Sequence, residues 1–481
     1  MKHFAFITFL AFVLVSCGNT DSAKGNYAYF GGEIINPSNN YVTLSRVSGG
    51  KDTIYLDDNN RFVHKVDNLQ PGLYTFTHGG EYQMILLEPK DSLLFRLNTN
   101  DFDESLVFTG IGSKKNNYFI QSFLDNEAEN KEFRKTSHFE PEVFVEHMDK
   151  LRERKLEYLD EFLSKKSGTD LFKTIATNSI NYNYYAYHEM YPFGYYGNKQ
   201  LIHFKDLPEG FYDFRKDVDL NDESLKELYV YNRFLFWHFN NLALKEYYQE
   251  GRHHTFDRMA LDYNIEKLRL VDSSLTNSTI KNYLLKHITR DFVLNSDDQD
   301  ETNEIADFYL KKSTNTDDKT ELQNLVVRVN NLRPGNIIPD TELISIDGTK
   351  TNLINLIDSP TVFYCWSSNF KLHSRNSHYK IKKLKSEFPN INFVAINFND
   401  NDFKYWKKTV RSLNYPTIKE YKFSNPNEAI DTYVITFTHK IFIVNGGGQI
   451  VNSNVSLFSD DIYDYLNKLN SRTFKKRSIT K

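Results

Sequence analysis

The first part of the chain alternates short apolar runs with turn signals. Eight runs rich in Tyr, Phe, Val, Ile and Thr lie within residues 27–112, and the stretches PSNN, SGG, DDNN, QPG and EPKD separate several of them. Aromatic and β-branched residues bounded by Gly, Pro, Asn and Asp are typical of strands joined by turns. We therefore expect a β-sandwich-like domain at residues 27–112.

The apolar period changes to that of helices after this region. Phe144, Met148 and Leu151 lie at the spacing of one helix face, and the stretch NDESLKELYVYNRFLFWHFNNLALKEYY supplies another long helical segment. Because apolar helix faces need partners, we predict an α-helical middle domain at residues 113–332 that packs on itself and on its neighbours.

One segment of this helical region, residues 178–200, contains seven tyrosines. Such a segment could stack on a sugar or a peptide, but tyrosine at helical spacing more commonly packs in a partly buried position with a wet hydroxyl. We favour packing and assign no ligand to the segment.

The last part of the chain alternates strands and helices. Pro334, Gly335 and Pro339 interrupt the preceding helix. After them we predict a strand pair around the Asp347-Gly348 turn, a buried strand at residues 361–366, a helix, the buried strand INFVAINF, an exposed helix at residues 401–413, a glycine-turn hairpin in HKIFIVNGGGQIVNS and a final helix in SDDIYDYLNKL. These elements make an α/β domain at residues 333–472, followed by a basic tail at residues 473–481.

Residues 334–470 resemble the periplasmic thioredoxin-like thiol–disulfide oxidoreductases, the family that includes cytochrome maturation reductases. The matching features are the PG…P entry, the DG hairpin, the aromatic strand that ends in Trp366 and the hairpin after Val444. The first domain resembles the small β domain of envelope lipoproteins that carry such a domain. The resemblance implies a multidomain α+β chain: an N-terminal β-sandwich-like domain, an α-helical middle and a C-terminal thioredoxin-like α/β domain.

The chemistry of this family needs a Cys-x-x-Cys motif at a helix N-terminus, where free N–H groups stabilise a thiolate. With Trp366 as the anchor, the two cysteine positions fall on Phe370 and His373. The family also keeps a cis-proline before the hairpin, and that position falls on His439. Since all three positions have changed, dithiol exchange is not expected.

Two enzymatic alternatives stay open. The stretch CWSS could be a monothiol motif with Cys365 as the attacking thiol, although the apolar run places Cys365 in a buried strand, where a thiol is unreactive. Alternatively, His373 and His439 would face each other near the hydroxyl of Thr438 and could bind a metal or act in acid–base chemistry, although no carboxylate ligand is evident.

The fold itself offers a further site. Thioredoxin-like domains keep a groove beside the motif helix, where active relatives pair main chain with a peptide segment. We expect Trp366, Phe370 and Thr438 to line this groove. No metal and no cofactor is predicted: the adjacent His253 and His254 diverge in a helix or a strand, and no cysteine or carboxylate spacing completes a zinc set.

The N-terminus predicts export. Lys2, an apolar run at residues 4–15 and the following small residues are typical of a secretory signal, which we place at residues 1–16. Leu14-Val15-Ser16-Cys17 resembles a bacterial lipobox, which implies cleavage before Cys17, acylation of that cysteine and a lipid anchor and tether at residues 17–26. An ordinary cleaved signal that contains a cysteine is the alternative.

Composition narrows the choice of function. A chain of 481 residues is too long for one core, and its net charge of −4 gives no footprint for nucleic acid. Of two cysteines, an acylated Cys17 would leave Cys365 alone, so no internal disulfide could form. We expect a membrane-anchored, periplasm-facing lipoprotein of the bacterial cell envelope that binds a protein or peptide partner, with a purely structural envelope role as a further alternative.

Overall fold

The structure is a computed structural model that describes residues 26–46, 50–166, 168–195, 206–249, 255–368, 370–399, 402–438 and 440–479. The predicted signal peptide, Cys17, His253, His254 and His439 lie outside the described residues. In the part of the chain that is described, no helix has both the length and the apolar character needed to cross a bilayer.

The first region forms two four-stranded sheets. One has the order β4-β1-β7-β8 and the other the order β3-β2-β5-β6. The strands are β1 (Ala28–Ile35), β2 (Tyr41–Ser45), β3 (Lys51–Tyr55), β4 (Arg61–Val66), β5 (Gly72–His78), β6 (Glu81–Leu87), β7 (Ser92–Asn98) and β8 (Val107–Ile111). Each of the eight predicted apolar runs contains one of these strands.

The two sheets share one apolar core. Phe30 of β1 and Phe76 of β5 are fully buried, with their ring centroids 5.5 Å apart, so the contact joins the two sheets. Phe95 of β7 stacks on Phe76 at 5.1 Å. Because successive side chains of a strand point to opposite faces of the sheet, every second side chain of these strands is directed into this core.

The first helix after the sheets is attached through two asparagines. The side chain of Asn116 accepts from the amide of Leu86 at 2.8 Å and donates to its carbonyl at 3.0 Å. Asn117 pairs in the same way with the amide and the carbonyl of Phe108, both at 2.9 Å. Since β6 and β8 are edge strands, these side chains satisfy backbone groups that an open edge would leave unpaired.

Helices occupy most of the middle of the chain. They are α1 (Ser113–Thr136), α2 (Pro141–Lys166), α3 (Asp170–Tyr195), α4 (Tyr229–Gln249), α5 (Leu261–Ser274), α6 (Ser278–Asn295), α7 (Gln299–Lys312) and α8 (Thr316–Asn331). The chain divides into two compact units, Met1–Phe133 with Glu153–Ile180, and Arg134–Arg152 with Asn181–Lys481. Both units contain helices from this region, so the three-domain division made from the sequence remains a proposal.

The tyrosine-rich segment packs inside the second unit where it is described. Tyr187 and Tyr191 of α3 are buried, and the Tyr191 hydroxyl donates to the carbonyl of Phe139 at 2.5 Å. The Tyr184 hydroxyl donates to the carboxylate of Asp149 at 2.6 Å. These contacts are those of packing tyrosines with satisfied hydroxyls.

The last region contains a seven-stranded sheet of order β10-β9-β13-β12-β11-β14-β15. Strand β11 is parallel to β12 and antiparallel to β14, and β12 is parallel to β13. The strands are β9 (Glu342–Ser345), β10 (Lys350–Asn352), β11 (Thr361–Trp366), β12 (Asn392–Asn397), β13 (Lys419–Phe423), β14 (Ile441–Val444) and β15 (Ile450–Asn452). The helices are α9 (Lys371–Glu387), α10 (Phe403–Leu413), α11 (Pro426–Thr432) and α12 (Asp461–Ile479).

Most of the predicted elements of this region are present. The buried strand β11, the helix α9, the hairpin β14–β15 and the turn with Gly348 at φ +94° lie where the sequence placed them. Strand β13 and helix α11 were not predicted. Helix α10 was predicted to be exposed, but its Trp406 is fully buried in the core of this region. Helix α12 runs to Ile479 and so includes residues 473–479 of the predicted basic tail.

Candidate functional site

The candidate site lies where β11 ends and α9 begins. Strand β11 is buried along its whole length. Ser367 and Ser368 follow it and are also buried, and Phe370 stands at the N-cap of α9 without a side-chain hydrogen bond to the helix. Phe370, which the sequence resemblance placed at the first motif position, therefore lies at the start of a helix that directly follows a buried strand.

The turn is held by a serine inside the helix. The Ser374 hydroxyl lies 2.6 Å from the carbonyl oxygen of Ser367 and 3.0 Å from that of Phe370. On the strand side, the Asn397 side chain donates to the Ser368 hydroxyl at 3.2 Å. The Ser374 hydroxyl therefore ties the carbonyls of Ser367 and Phe370 to the first turns of α9.

His373, the predicted second motif position, is half-buried in the first turn of α9. Its Nε2 lies 3.3 Å from the Ser377 hydroxyl, and its ring packs edge to face against Phe458 with centroids 5.9 Å apart. The proposed partner His439 lies outside the described residues, so the facing histidine pair remains a prediction. Thr438 is half-buried in the segment before β14.

Trp366 does not line a groove. Its side chain is fully buried, and its ring packs edge to face on His378 of α9 with centroids 5.1 Å apart. The reason is that β11 is a central strand with a covered face on each side, and Trp366 shares the face beneath α9 with Tyr364. The expected contribution of Trp366 to a binding groove is therefore wrong.

Cys365 points to the opposite face of β11 from Trp366 and is 1% exposed. Burial raises the pKa of its thiol to about 12, although the charge of Lys440 opposes the rise. A thiol in this environment stays protonated and is shielded from substrate, so the geometry does not favour Cys365 as a nucleophile.

Two apolar side chains that the sequence did not single out are exposed next to the helix start. Leu372 is 71% exposed and Phe458 is 45% exposed. We call Phe370, Leu372, His373 and Phe458 the helix-start surface. The leucine in the first turn of α9 could have been noticed from the sequence. The contact between Phe458 and His373, in contrast, depends on the tertiary fold.

A buried ion pair beneath α9 was also missed. His378 is fully buried, with its Nε2 2.8 Å from Oε1 of Glu420 on β13. His378 lies on the same helix face as Ile381, so its burial was readable from the spacing, but its partner on an unpredicted strand was not. Over the described ranges, no group of three or more His, Cys, Asp or Glu side chains is placed to hold a metal ion.

Comparison with known proteins finds likeness only among solved structures: no family model and no curated protein matches the chain. A thioredoxin domain of a thiol–disulfide oxidoreductase from Bacteroides vulgatus is 18% identical, with 28% of this chain and 97% of that chain covered at a TM-score of 0.25. A thiol:disulfide interchange protein from Bacteroides sp. is also 18% identical, with 29% and 91% covered at a TM-score of 0.26.

A longer stretch is similar to a thioredoxin-like protein from Bacteroides caccae. It is 10% identical, with 46% of this chain and 86% of that chain covered at a TM-score of 0.28. At these identities and TM-scores, no residue's role in those proteins carries over to this chain. The fold of the last region is described by its own sheet order and register.

Proposed function

We propose that this chain is a lipid-anchored protein of the bacterial cell envelope whose C-terminal thioredoxin-like domain binds a protein or peptide segment without exchanging disulfides. One observation carries the proposal: helix α9 begins at Phe370, where the chemistry of the fold would need a thiol, and the adjacent helix-start surface is apolar and exposed.

The helix-start surface has the character of a contact site for another chain. Leu372 and Phe458 leave large apolar side chains in water, and His373, which packs against Phe458, adds a polar group. Contiguous exposed apolar patches with a polar rim mark interaction sites. The Ser374 hydrogen bonds fix the backbone beneath, so a partner would meet a preorganised surface.

The redox alternative has no support in the geometry. Among the described residues, Cys365 is the free cysteine, and it is buried with a raised pKa. A monothiol enzyme would need this thiol to be exposed and ionised. The proposed role therefore rests on contact and not on covalent chemistry.

Site-specific photo-crosslinking in living cells tests the binding role. A photoreactive residue at Leu372 is expected to give a discrete crosslinked product, and Phe370→Asp should abolish it because a charge would sit in an apolar contact. Tyr379, which is 66% exposed and two turns further along α9, is the matched control position and should give no such product. The same products with and without Phe370→Asp, or none at Leu372, would leave only the structural envelope role.

Membrane attachment needs its own test. The Cys17→Ser variant is expected to move from the membrane fraction to the soluble periplasmic fraction, because acylation of Cys17 is the stable anchor that the lipobox resemblance implies. Retention of the variant in the membrane fraction would contradict the lipid anchor.

A further inference from the structure

Helices α9 and α10 lie side by side on one face of the last sheet. Ile381 of α9 and Trp406 of α10 belong to the same apolar core as Trp366 of β11. The ammonium group of Lys385 on α9 donates to the carbonyl of Thr417, which follows α10. Since both helices bury one side in this core, their opposite sides point away from the sheet and into solvent.

The outer sides of these helices carry an excess of positive charge. Residues 371–419 contain eleven lysines and arginines but only three acidic residues, although the whole chain has a net charge of −4. Five of these cations are exposed, and we call them the basic helix surface: Arg375, Lys382, Lys383, Lys404 and Lys408. Among the residues that the structure describes, Lys383 is the one member with an ion pair, at 4.0 Å from Glu387.

The cations of α9 continue towards α10. His378 of α9 packs on Tyr415, just after α10, with ring centroids 5.5 Å apart. Residues three or four positions apart share one side of a helix, so Arg375 and Lys382 lie on the flank of α9 that His378 directs towards α10. The positive charges of the two helices therefore belong to one continuous surface.

Acidic side chains lie at the ends of the two helices. Glu387 is the last residue of α9 and pairs with Lys383. Asp402 caps the start of α10, where its carboxylate accepts from the amides of Lys404 and Tyr405 at 2.8 and 3.2 Å. Neither carboxylate pairs with Lys404 or with the other members of the surface.

Further acidic groups lie beyond the two flanks. Asp347 lines the same pocket as Arg411, at the end of α10, and for this reason we do not count Arg411 as part of the basic helix surface. The acidic start of α12 lies beyond the other flank of α9, where Lys380 stands over the ring of Tyr463 at 4.7 Å. The acidic groups thus border the basic helix surface.

We propose that the basic helix surface docks the C-terminal domain on an anionic lipid surface. Clusters of about four to eight lysines and arginines bind anionic headgroups, and each cation strengthens the binding about fivefold. The lipid assignment follows from this charge complementarity, and it rests on the proposed function, because acylation of Cys17 would hold the chain next to a membrane. Without the acyl chains, the attraction is reversible and depends on salt.

Vesicle co-sedimentation tests the docking independently of the anchor. The protein is the chain from residue 17 onwards, which the proposed cleavage leaves, with Cys17→Ser to remove the acyl chains. It should bind vesicles of phosphatidylglycerol mixed with phosphatidylcholine but not vesicles of phosphatidylcholine alone. Binding should be lost at an ionic strength of about 0.5 M, where exposed charges are screened. Equal binding to both vesicles, or none to the anionic ones, would overturn the docking, whichever fraction holds the Cys17→Ser variant in cells.

Two pairs of substitutions locate the binding. Lys382→Gln with Lys408→Gln removes one charge from each helix and should weaken binding to the anionic vesicles roughly twentyfold. Lys245→Gln with Lys311→Gln removes the same charge from exposed positions of α4 and α7 and should bind as the wild type does. All four side chains are exposed, so both variants should keep the circular dichroism spectrum of the wild type. Equal weakening by the two pairs would mean that net charge, and not this surface, attracts the vesicles.

Heparin, a soluble polyanion, separates a membrane from an acidic polymer. If heparin binds and the Lys382→Gln, Lys408→Gln pair weakens it while the anionic vesicles do not bind, the surface recognises an acidic polymer and the lipid assignment is wrong. Binding of the anionic vesicles that this pair weakens and the control pair does not is the result that we expect.

Discussion

The amide of Cys365 donates to the carbonyl of Lys440 across 3.1 Å, and both side chains are buried beside each other. The Lys440 ammonium donates to the carbonyl of Val434 at 2.7 Å. Burial lowers the pKa of Lys440 to about 8 and raises the pKa of Cys365 to about 12, so the lysine does not turn its neighbour into a thiolate. The Cys365 thiol on this face of the sheet is therefore not activated as a nucleophile.

Alkylation of Cys365 should be slow in the native protein. We expect the thiol to react with iodoacetamide only after denaturation, with no native labelling midpoint below the ordinary thiol value of about 8.5. The measurement is the labelling rate against pH in the Cys17→Ser variant, in which Cys365 is the only remaining cysteine. Fast native labelling near neutral pH would contradict the buried position and restore the monothiol alternative.

Two cysteines placed at Phe370 and His373 should form a reactive dithiol. With Phe370→Cys and His373→Cys together, one thiol stands at the N-cap of α9 and the other three residues on, where free N–H groups stabilise a thiolate. We expect a disulfide in a glutathione redox buffer, seen by mass spectrometry as the loss of two hydrogens, and reductase activity towards a small disulfide.

A second pair on the same helix controls for spacing alone. Tyr379→Cys with Lys382→Cys has the same separation, but both positions lie inside α9, where the N–H groups are already bonded. These thiols should attack a small disulfide more slowly than the pair at the helix start. Equal reactivity of the two pairs would show that Phe370 and His373 do not occupy the motif positions.

The elements that the sequence predicted well are those defined by a local period. All eight strands of the first region and the strand β11 carry runs of aromatic and β-branched residues, and each strand buries at least one of them. Strand β13, in contrast, has the sequence KEYKF, which is charged. It is a strand because its backbone pairs with β12 and β9, and because Glu420 finds a partner in His378.

The position of the helix start was predicted correctly, but the solvent exposure of the side chains around it was not. The anchor at Trp366 located the helix start correctly, because the change from a strand period to a helix period is local. Which residues face solvent there depends on what covers each side of β11, and that is decided by α9 and by distant segments such as the one with Phe458. Trp366 was therefore misjudged and Leu372 overlooked.

Glu189 is the centre of a buried charge cluster in the helical region, and its removal should be strongly destabilising. It is fully buried, with Oε1 2.8 Å from Nε of Arg215 and 2.8 Å from Nδ1 of His238. Glu189→Ala would leave the guanidinium and the imidazole without their anion. We expect a loss of roughly 3–5 kcal/mol in the free energy of unfolding, measured by urea denaturation followed by circular dichroism.

An exposed glutamate provides the comparison. Glu161 pairs with Lys165 one turn away on the surface of α2, and pairs of this kind contribute little. Glu161→Ala should therefore shift the urea midpoint much less than Glu189→Ala. Similar midpoints for the two variants would mean that the cluster around Glu189 does not hold the helices together.

His188, next to Glu189 on α3, should make the stability of the protein depend on pH. Burial lowers the pKa of His188 from 6.5 to about 4, although its hydrogen bond to the Tyr184 carbonyl opposes the shift. The unfolded chain then binds a proton that the folded chain excludes. The neutral imidazole therefore contributes its full stabilisation above about pH 6.5, and this contribution is lost as the pH falls to about 4. The free energy of unfolding changes by on the order of 3 kcal/mol over this range.

The variant His188→Phe isolates this effect. The phenylalanine ring can occupy the same aromatic surroundings, in which the ring centroids of Phe144 and Phe211 lie 5.3 and 5.0 Å from that of the imidazole. Unlike the imidazole, this ring has no group to protonate. The free energy of unfolding, measured in urea between pH 7 and pH 4, should fall less steeply in this variant than in the wild type.

The control variant is Phe211→Leu, which reduces the packing around the imidazole but keeps the imidazole itself. Its free energy of unfolding should be lower at every pH but should change with pH as steeply as that of the wild type. Because Glu189 is present in all three proteins, its own acid titration cancels in the comparison, and parallel curves for His188→Phe and the wild type would rule out His188 as the source of the pH dependence.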